Sequence, residues 1–205
     1  MTLLPVQQYE SLMTMIRQRI NVIEMLRLAS LDAFSKAETA AFHGRKVVEG
    51  IAFGCLVAVE SGLRRIPKDA KGQWNANTIL KSLRSKNINV FPSPSIIRSA
   101  LESEQAEHNV KVVVEGVPER RLTHDDLIAI YTRLHKWLHE INPYVEENRN
   151  KFVTQNAPAL WEDLSKVHHL VEHHFISIGG EGFFCTLRDS RDGQTKVLSL
   201  SRTEK

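Results

Sequence analysis

Arg133, His135 and His139 fall within one short stretch, Arg133-Leu-His-Lys-Trp-Leu-His139-Glu140, just ahead of Asn142-Pro143. A histidine moves protons near neutral pH, and an arginine grips a phosphate through paired N–H donors. Together these residue types suit cleavage of RNA without a metal. A histidine would take the proton of a 2′-hydroxyl, whose oxygen then attacks its own phosphate. Arginine donors would stabilise the charge gathering on the phosphorane oxygens. The products would be a 2′,3′-cyclic phosphate and a 5′-hydroxyl, and no cofactor is called for. The plainer alternative is an amphipathic helix whose polar flanks carry histidines into solvent.

The stretch belongs to a predicted helix. Thr123 offers a cap, with Asp125 and Asp126 adding negative charge to the first turn. Leu127, Ile130, Tyr131, Leu134, Leu138 and Ile141 then form one apolar stripe, and Asn142-Pro143 supplies the stop. At about 100° per residue, His135 and His139 share one flank of that stripe, while Arg133 and Glu140 share the other. One helix alone does not bring Arg133 to His139. A second copy packed across a two-fold axis would.

A second constellation is His43-Gly-Arg45-Lys46-Val-Val-Glu49. Arg45 and Glu49 stand four apart, so an ordinary helical ion pair of about 0.3–0.5 kcal/mol is the simplest reading. The functional reading makes His43, Arg45 and Glu49 a supporting groove that orients Arg133 or His139. A third is His168-His169-Leu-Val-Glu172-His173-His174. Its His169-x-x-Glu172-His173 spells an inverted zinc-protease motif, but that chemistry needs a further carboxylate ligand well downstream. The little chain that remains reads as compact sheet. His173 and His174 also stand where helix gives way to strand, so no metal site is expected beyond adventitious zinc or nickel. Lys68, Lys71, Arg84 and Lys86 flank Trp74, a pattern that can stack and neutralise single-stranded RNA but more often marks a solvated loop. There is no glycine-rich phosphate loop, no Gly-x-Ser-x-Gly elbow and no Cys-x-x-Cys pair.

The elements that must position these residues follow from periodicity. Leu12, Met15, Ile16, Ile20, Ile23 and Leu26 predict a helix over 6–29. A second run after Asp32 ends near Ser61-Gly62, and two such helices joined by a short turn pack antiparallel. A basic loop over 64–72 and a short helix over 77–84 come next. Phe91-Pro-Ser-Pro94 forbids helix. Val110-Lys-Val-Val-Val114 and Arg120-Arg-Leu122, bracketing Gly116-Val-Pro, read as a small hairpin or a long excursion. After the helix at 123–142, another is predicted over 158–172. The period then changes to two, over 175–178, 182–187 and 196–200, with Gly179-Gly180 and Asp192-Gly193 as turns. The expected fold is mainly α, an antiparallel helical bundle over 1–172 with an excursion at about 87–122. A small antiparallel β-meander over 173–205 packs on it.

Composition agrees with an ordinary globular protein: 205 residues, 42% hydrophobic and 25% charged. A net charge of +3 is too slight to announce nucleic-acid binding, so any basic patch must be local. Cys55 and Cys185 lie too far apart in sequence to make a metal-binding pair, and Cys55 sits in an apolar run. Such usage suits a reducing compartment. The N-terminus lacks the basic start and apolar run of a signal peptide, and no apolar stretch is long enough to span a bilayer. The expectation is a cytoplasmic protein with no membrane partner.

Three features resemble the HEPN superfamily: the consecutive long helices, the string His43-Gly-Arg-Lys-Val-Val-Glu49-Gly-Ile-Ala, and a later helix bearing Arg133 and His139. The resemblance covers roughly residues 1–200. Members are helical bundles, often dimeric, found in toxin–antitoxin modules and antiviral defence. Many are metal-independent ribonucleases whose signature is an arginine, four to six residues, then a histidine. Arg133 and His139, with five residues between, fit it. Leu134 stands where active members usually carry a polar residue, with His135 one place later. The Arg-Lys-x-x-Glu string, the Leu-His-Glu-x-Asn-Pro-Tyr string and the C-terminal hairpin are most similar to uncharacterised bacterial members. The resemblance implies a homodimer acting on RNA, with an antitoxin or defence partner. His139 would be the general base or acid and Arg133 the phosphate holder, with His135 and Glu140 assisting. The alternative function is a non-catalytic dimeric module that binds a nucleotide, RNA or protein.

Overall fold

The computed structural model describes residues 4–63, 65–140, 144 and 148–201. Helix α1, Pro5–Leu28, buries Tyr9, Met13, Ile16, Ile20, Ile23 and Leu26, spaced by three and four along one face. Pro5 opens it, where its missing N–H costs nothing. Helix α2, Ala33–Leu63, follows Asp32, whose carboxylate accepts from Ser35 N at 3.0 Å. Space for a Cβ on Gly50 is bounded by Ile16, and on Gly54 by Tyr9 and Met13, so the two helices run antiparallel.

Helix α2 is the centre of the molecule, and its small residues explain why. Ala37, Ala40, Ala41 and Gly44 are buried, leaving room for other helices to approach closely. A Cβ on Gly44 would stand 2.2 Å from Leu164 and 3.3 Å from Leu134, which belong to the two helices packed on that side. Those are α5, His124–Lys136, and α6, Arg149–Glu172. Helix α3, Ala76–Ser85, is capped by Asn75, which accepts from Thr78 N at 3.3 Å. Thr123 and Asp126 form a reciprocal capping box at the start of α5: Thr123 Oγ1 accepts from Asp126 N at 3.1 Å, and Asp126 Oδ2 accepts from Thr123 N at 2.8 Å.

Two helix boundaries differ from expectation. Helix α5 ends at Lys136, short of Asn142-Pro143, and residues 141–143, where the stop was expected, lie outside the described residues. Trp137 turns inward as the cap residue, 3% exposed, and packs edge-on against Phe152 and tilted against Phe34. Burying that indole redirects the chain, and Leu138 N closes a last tight turn onto His135 O. His139 therefore stands just beyond the helix. Helix α6 begins at Arg149 rather than near Pro158, which lies inside it. Asn148 caps this earlier start, accepting from Lys151 N at 2.9 Å. Phe152, Val153 and Ala157 pack on the core and hold the turns ahead of the proline.

The sheet is larger than a C-terminal meander. Strands β1, Ser93–Ser99, and β2, Val112–Gly116, join β3, His173–Ile178, β4, Glu181–Thr186, and β5, Lys196–Ser201. Their order is β2-β1-β3-β4-β5, antiparallel throughout. The three C-terminal strands match expectation, and Gly179 and Gly180, both at positive φ, make the tight turn between β3 and β4. The middle segment differs. Val112–Gly116 pairs with Ser93–Ser99, and Pro118–Arg120 forms a 3-10 turn rather than a returning strand. A short helix, α4, Glu102–His108, links β1 to β2. Pro94 is tolerated because its carbonyl, not an N–H, is used: it accepts from Val117 N at 2.8 Å. The fold is thus mainly helical with a five-stranded antiparallel sheet. Among the described residues, no helix is long and apolar enough to cross a membrane.

Candidate functional site

Where α2 passes α5, a line of hydrogen bonds leads from the protein interior to its surface. It starts at Glu49, a carboxylate only 6% exposed. Three donors satisfy it: Lys46 Nζ at 2.7 Å, Tyr131 OH at 3.0 Å and Arg45 Nε at 3.3 Å. A buried carboxylate so surrounded is a positioning device, because removing a donor leaves one of its buried lone pairs unsatisfied. Its effect is to fix the Arg45 guanidinium, which also lies over the Tyr131 ring at 4.8 Å. Burial and the Glu49 charge push the Tyr131 hydroxyl above its ordinary pKa, so it remains a donor.

Arg45 Nη1 in turn meets His135 Nδ1. A guanidinium only donates, so this ring nitrogen must carry a lone pair. Neutral His135 then keeps its proton on Nε2, which faces His139 Nε2 at 3.0 Å. The rings meet edge to face at 4.4 Å. Loss of solvent, then the Arg45 charge and the neighbouring His139, lower the pKa of His135 below that of a free histidine. The order of donation is therefore Arg45 to His135 to His139, where the lone pair of the exposed His139 Nε2 accepts the last bond and the ring proton sits on Nδ1. If a bound hydroxyl replaces His135 at Nε2, that nitrogen can accept the hydroxyl proton, while Arg45 supplies positive charge at the neighbouring His135.

The remaining sequence candidates are placed as follows. Arg133 turns the other way, to α6. Its Nε and Nη2 donate to the two oxygens of Asp163 at 2.6 and 2.8 Å, and Asp163 is 3% exposed. Those bonds raise the pKa of Arg133 still further. His43 faces α1, with Nδ1 3.4 Å from Arg19 Nη1, and burial followed by the Arg19 charge lowers its pKa. It does not join Arg45 and Glu49, because residues two apart on a helix point about 200° apart. Glu140 is exposed and 3.4 Å from Arg149. Tyr131 and Asp163 join these contacts and were not among the sequence candidates. Tyr131 reads in sequence as one more residue of the apolar stripe, and Asp163 carries no local signal at all.

Near residue 170, the strand start at His173 breaks the helical spacing that a shared metal would need. His168 stands between Glu24 at 3.5 Å and Glu172 at 3.9 Å, while His174 points into the core. Among the described residues, no group of three or more His, Cys, Asp or Glu side chains could hold a metal ion. Around Trp74, which is exposed, Arg84 pairs with Asp125 and Lys86 with Asp69. Half of that basic stretch is thus already neutralised. Cys55 and Cys185 are buried free thiols, and burial pushes Cys55 up to about 12, which leaves it unreactive.

No family model matches the chain, and neither a curated protein nor a solved structure matches it.

Proposed function

We propose that the chain is an HEPN-like helical protein that acts on RNA as a metal-independent endoribonuclease and works as a homodimer. The observation that carries this reading is the relay from Arg45 through His135 to the exposed His139 ring. His139 Nε2 exchanges its bond from His135 for the substrate and takes the 2′-hydroxyl proton as the 2′-oxygen bonds to phosphorus. Arg45, held by Glu49, and Lys46 stabilise the equatorial oxygens. The bond from phosphorus to the 5′-oxygen breaks, and that oxygen takes a proton from solvent. The ends left are a 2′,3′-cyclic phosphate and a 5′-hydroxyl. The site is open on one side, as suits a groove completed by a second copy. A bacterial defence or toxin–antitoxin setting, with its cognate partner, belongs to the same reading.

The test is incubation of purified protein with a mixed-sequence single-stranded RNA pool in EDTA. Cleavage with cyclic-phosphate ends, abolished in His139→Ala, is the expected result. An intact RNA pool overturns the enzyme. A second reading is favoured by Arg133, whose commitment to Asp163 takes the arginine of the family signature away from phosphate. On that reading the same surface is a non-catalytic module that binds a nucleotide, RNA or protein. RNA would then be retained with strong salt dependence and remain uncut.

A further inference from the structure

A cavity of about 880 Å³ lies against the sheet, between its strands and helix α4. It is lined by Val112 to Val114 of β2 and by Leu200 of β5. These strands are the two opposite edges of the sheet, so the sheet curls until its edges share one hollow. Helix α4 overhangs the rim with Glu104 and His108.

Strand alternation assigns the floor. His174 and Ile176 of β3 are buried in the core, so Phe175 and Ser177 between them face the hollow. Pairing carries that face across the sheet. Phe175 stands opposite Phe184, Phe184 opposite Leu198, and Val114 opposite Ile97. Phe184 is buried yet stays outside the main core cluster, as a residue on this second face should. Gly182 gives the Phe175 ring room to lie flat, since a Cβ there would stand 2.7 Å from its Cζ.

The polar groups at the rim are unequal. Glu104 is fully engaged: both oxygens accept from Arg98, at 2.7 and 2.8 Å, and one also accepts from Leu101 N. Lys111, which also lines the hollow, makes no ion pair and no side-chain hydrogen bond among the described residues. The lining thus combines a neutralised acid and an unpaired lysine with an apolar floor. Both the volume and the few convergent polar groups are those of a small-molecule site.

We propose that this hollow binds an amphipathic carboxylate, with its apolar body on Phe175, Val114 and Leu200 and its carboxylate at Lys111. The site is separate from the histidine pair and does not rest on the RNA reading. Decanoate and the uncharged decanol serve as probes, titrated calorimetrically into the full chain. Decanoate is expected to occupy one saturable site with a dissociation constant on the order of 10 µM. Lys111→Glu should weaken it about tenfold or more while changing decanol by less than about twofold. Val114→Arg and Leu200→Glu, from opposite edges of the sheet, should each abolish binding of both probes. Circular dichroism identifies any variant that fails to fold, and the other then decides. Absence of saturable binding by the native chain overturns the proposal. So does decanoate binding that ignores Lys111→Glu, or that survives in a folded floor variant.

Discussion

Arg133 and Asp163 form a two-point grip between α5 and α6, Nε to Oδ2 at 2.6 Å and Nη2 to Oδ1 at 2.8 Å. The carboxylate is buried while the guanidinium stays half exposed. The bond therefore serves the carboxylate more than the arginine, because only the buried partner has lost its water.

Removing Arg133 should thus cost stability before it costs chemistry. Arg133→Ala strands a buried carboxylate and is expected to lower unfolding free energy by about 3 kcal/mol. Arg133→Lys should recover only part of that, since an ammonium cannot make two parallel bonds. Urea unfolding measures both. If stability barely changes while RNA cleavage disappears, Arg133 belongs to the reaction and not to the helix contact.

Substitutions along the relay should behave differently. His139→Ala, at an exposed position, is expected to reduce cleavage by about 10²–10⁴-fold with stability within about 0.5 kcal/mol of the parent. Arg45→Ala should slow cleavage by about 10²–10³-fold and also destabilise, because Glu49 loses one of its three donors. Single-turnover rates and thermal midpoints separate the two patterns. A His139→Ala variant that still cuts at the parental rate would remove the histidine from the mechanism.

The relay also fixes the direction of the pH dependence. His135 accepts from Arg45 only while its Nδ1 is unprotonated, and its surroundings hold its pKa below that of a free histidine. The Arg45 bond to His135, and the cleavage it supports, should therefore be lost as pH drops through that depressed value. Arg45→Met removes the adjacent charge and should move the His135 titration upward. NMR titration of the imidazole reads that shift whether or not the variant cuts RNA. An unchanged His135 titration in Arg45→Met would break the assigned coupling.

Much of this was legible in the sequence where one face of one element carries the signal. The stripe from Tyr9 to Leu26 and the turn at Gly179-Gly180 are local patterns, and the structure has both. The pairing of Arg45 with Glu49 is local too. What the pattern could not carry is long-range. Tyr131 and His135 reach Glu49 and Arg45 from 82 and 90 residues away, and Asp163 meets Arg133 across 30. Strand β1 was hidden for a similar reason: Ser93-Pro94-Ser95 has turn chemistry, and its extended form comes from pairing with β2 and β3. The end of α5 depends on Trp137 finding Phe34 and Phe152, which no helical wheel shows.

The buried pair Tyr9 and His174 sets a pH limit on the fold itself. Tyr9 OH donates to His174 Nε2 at 2.7 Å, and His174 Nδ1 donates to Val171 O at 2.9 Å, so both ring nitrogens are used in the neutral state. Burial lowers its pKa to about 4, against about 6.5 in an unfolded chain. Between those values the unfolded chain binds more protons than the native one, so stability rises with pH and is lost on acidification. Across the whole window this histidine accounts for about 3 kcal/mol. His43, His124, His135 and His168 are also lowered and add to the loss with the same sign. His174→Gln keeps an acceptor for Tyr9 but cannot titrate, so the difference between the two proteins isolates this one group. Urea unfolding at about pH 7 and pH 4.5 should show a smaller acid loss in His174→Gln by roughly 2–3 kcal/mol. Equal losses in the two proteins would mean that His174 is not held neutral in the core.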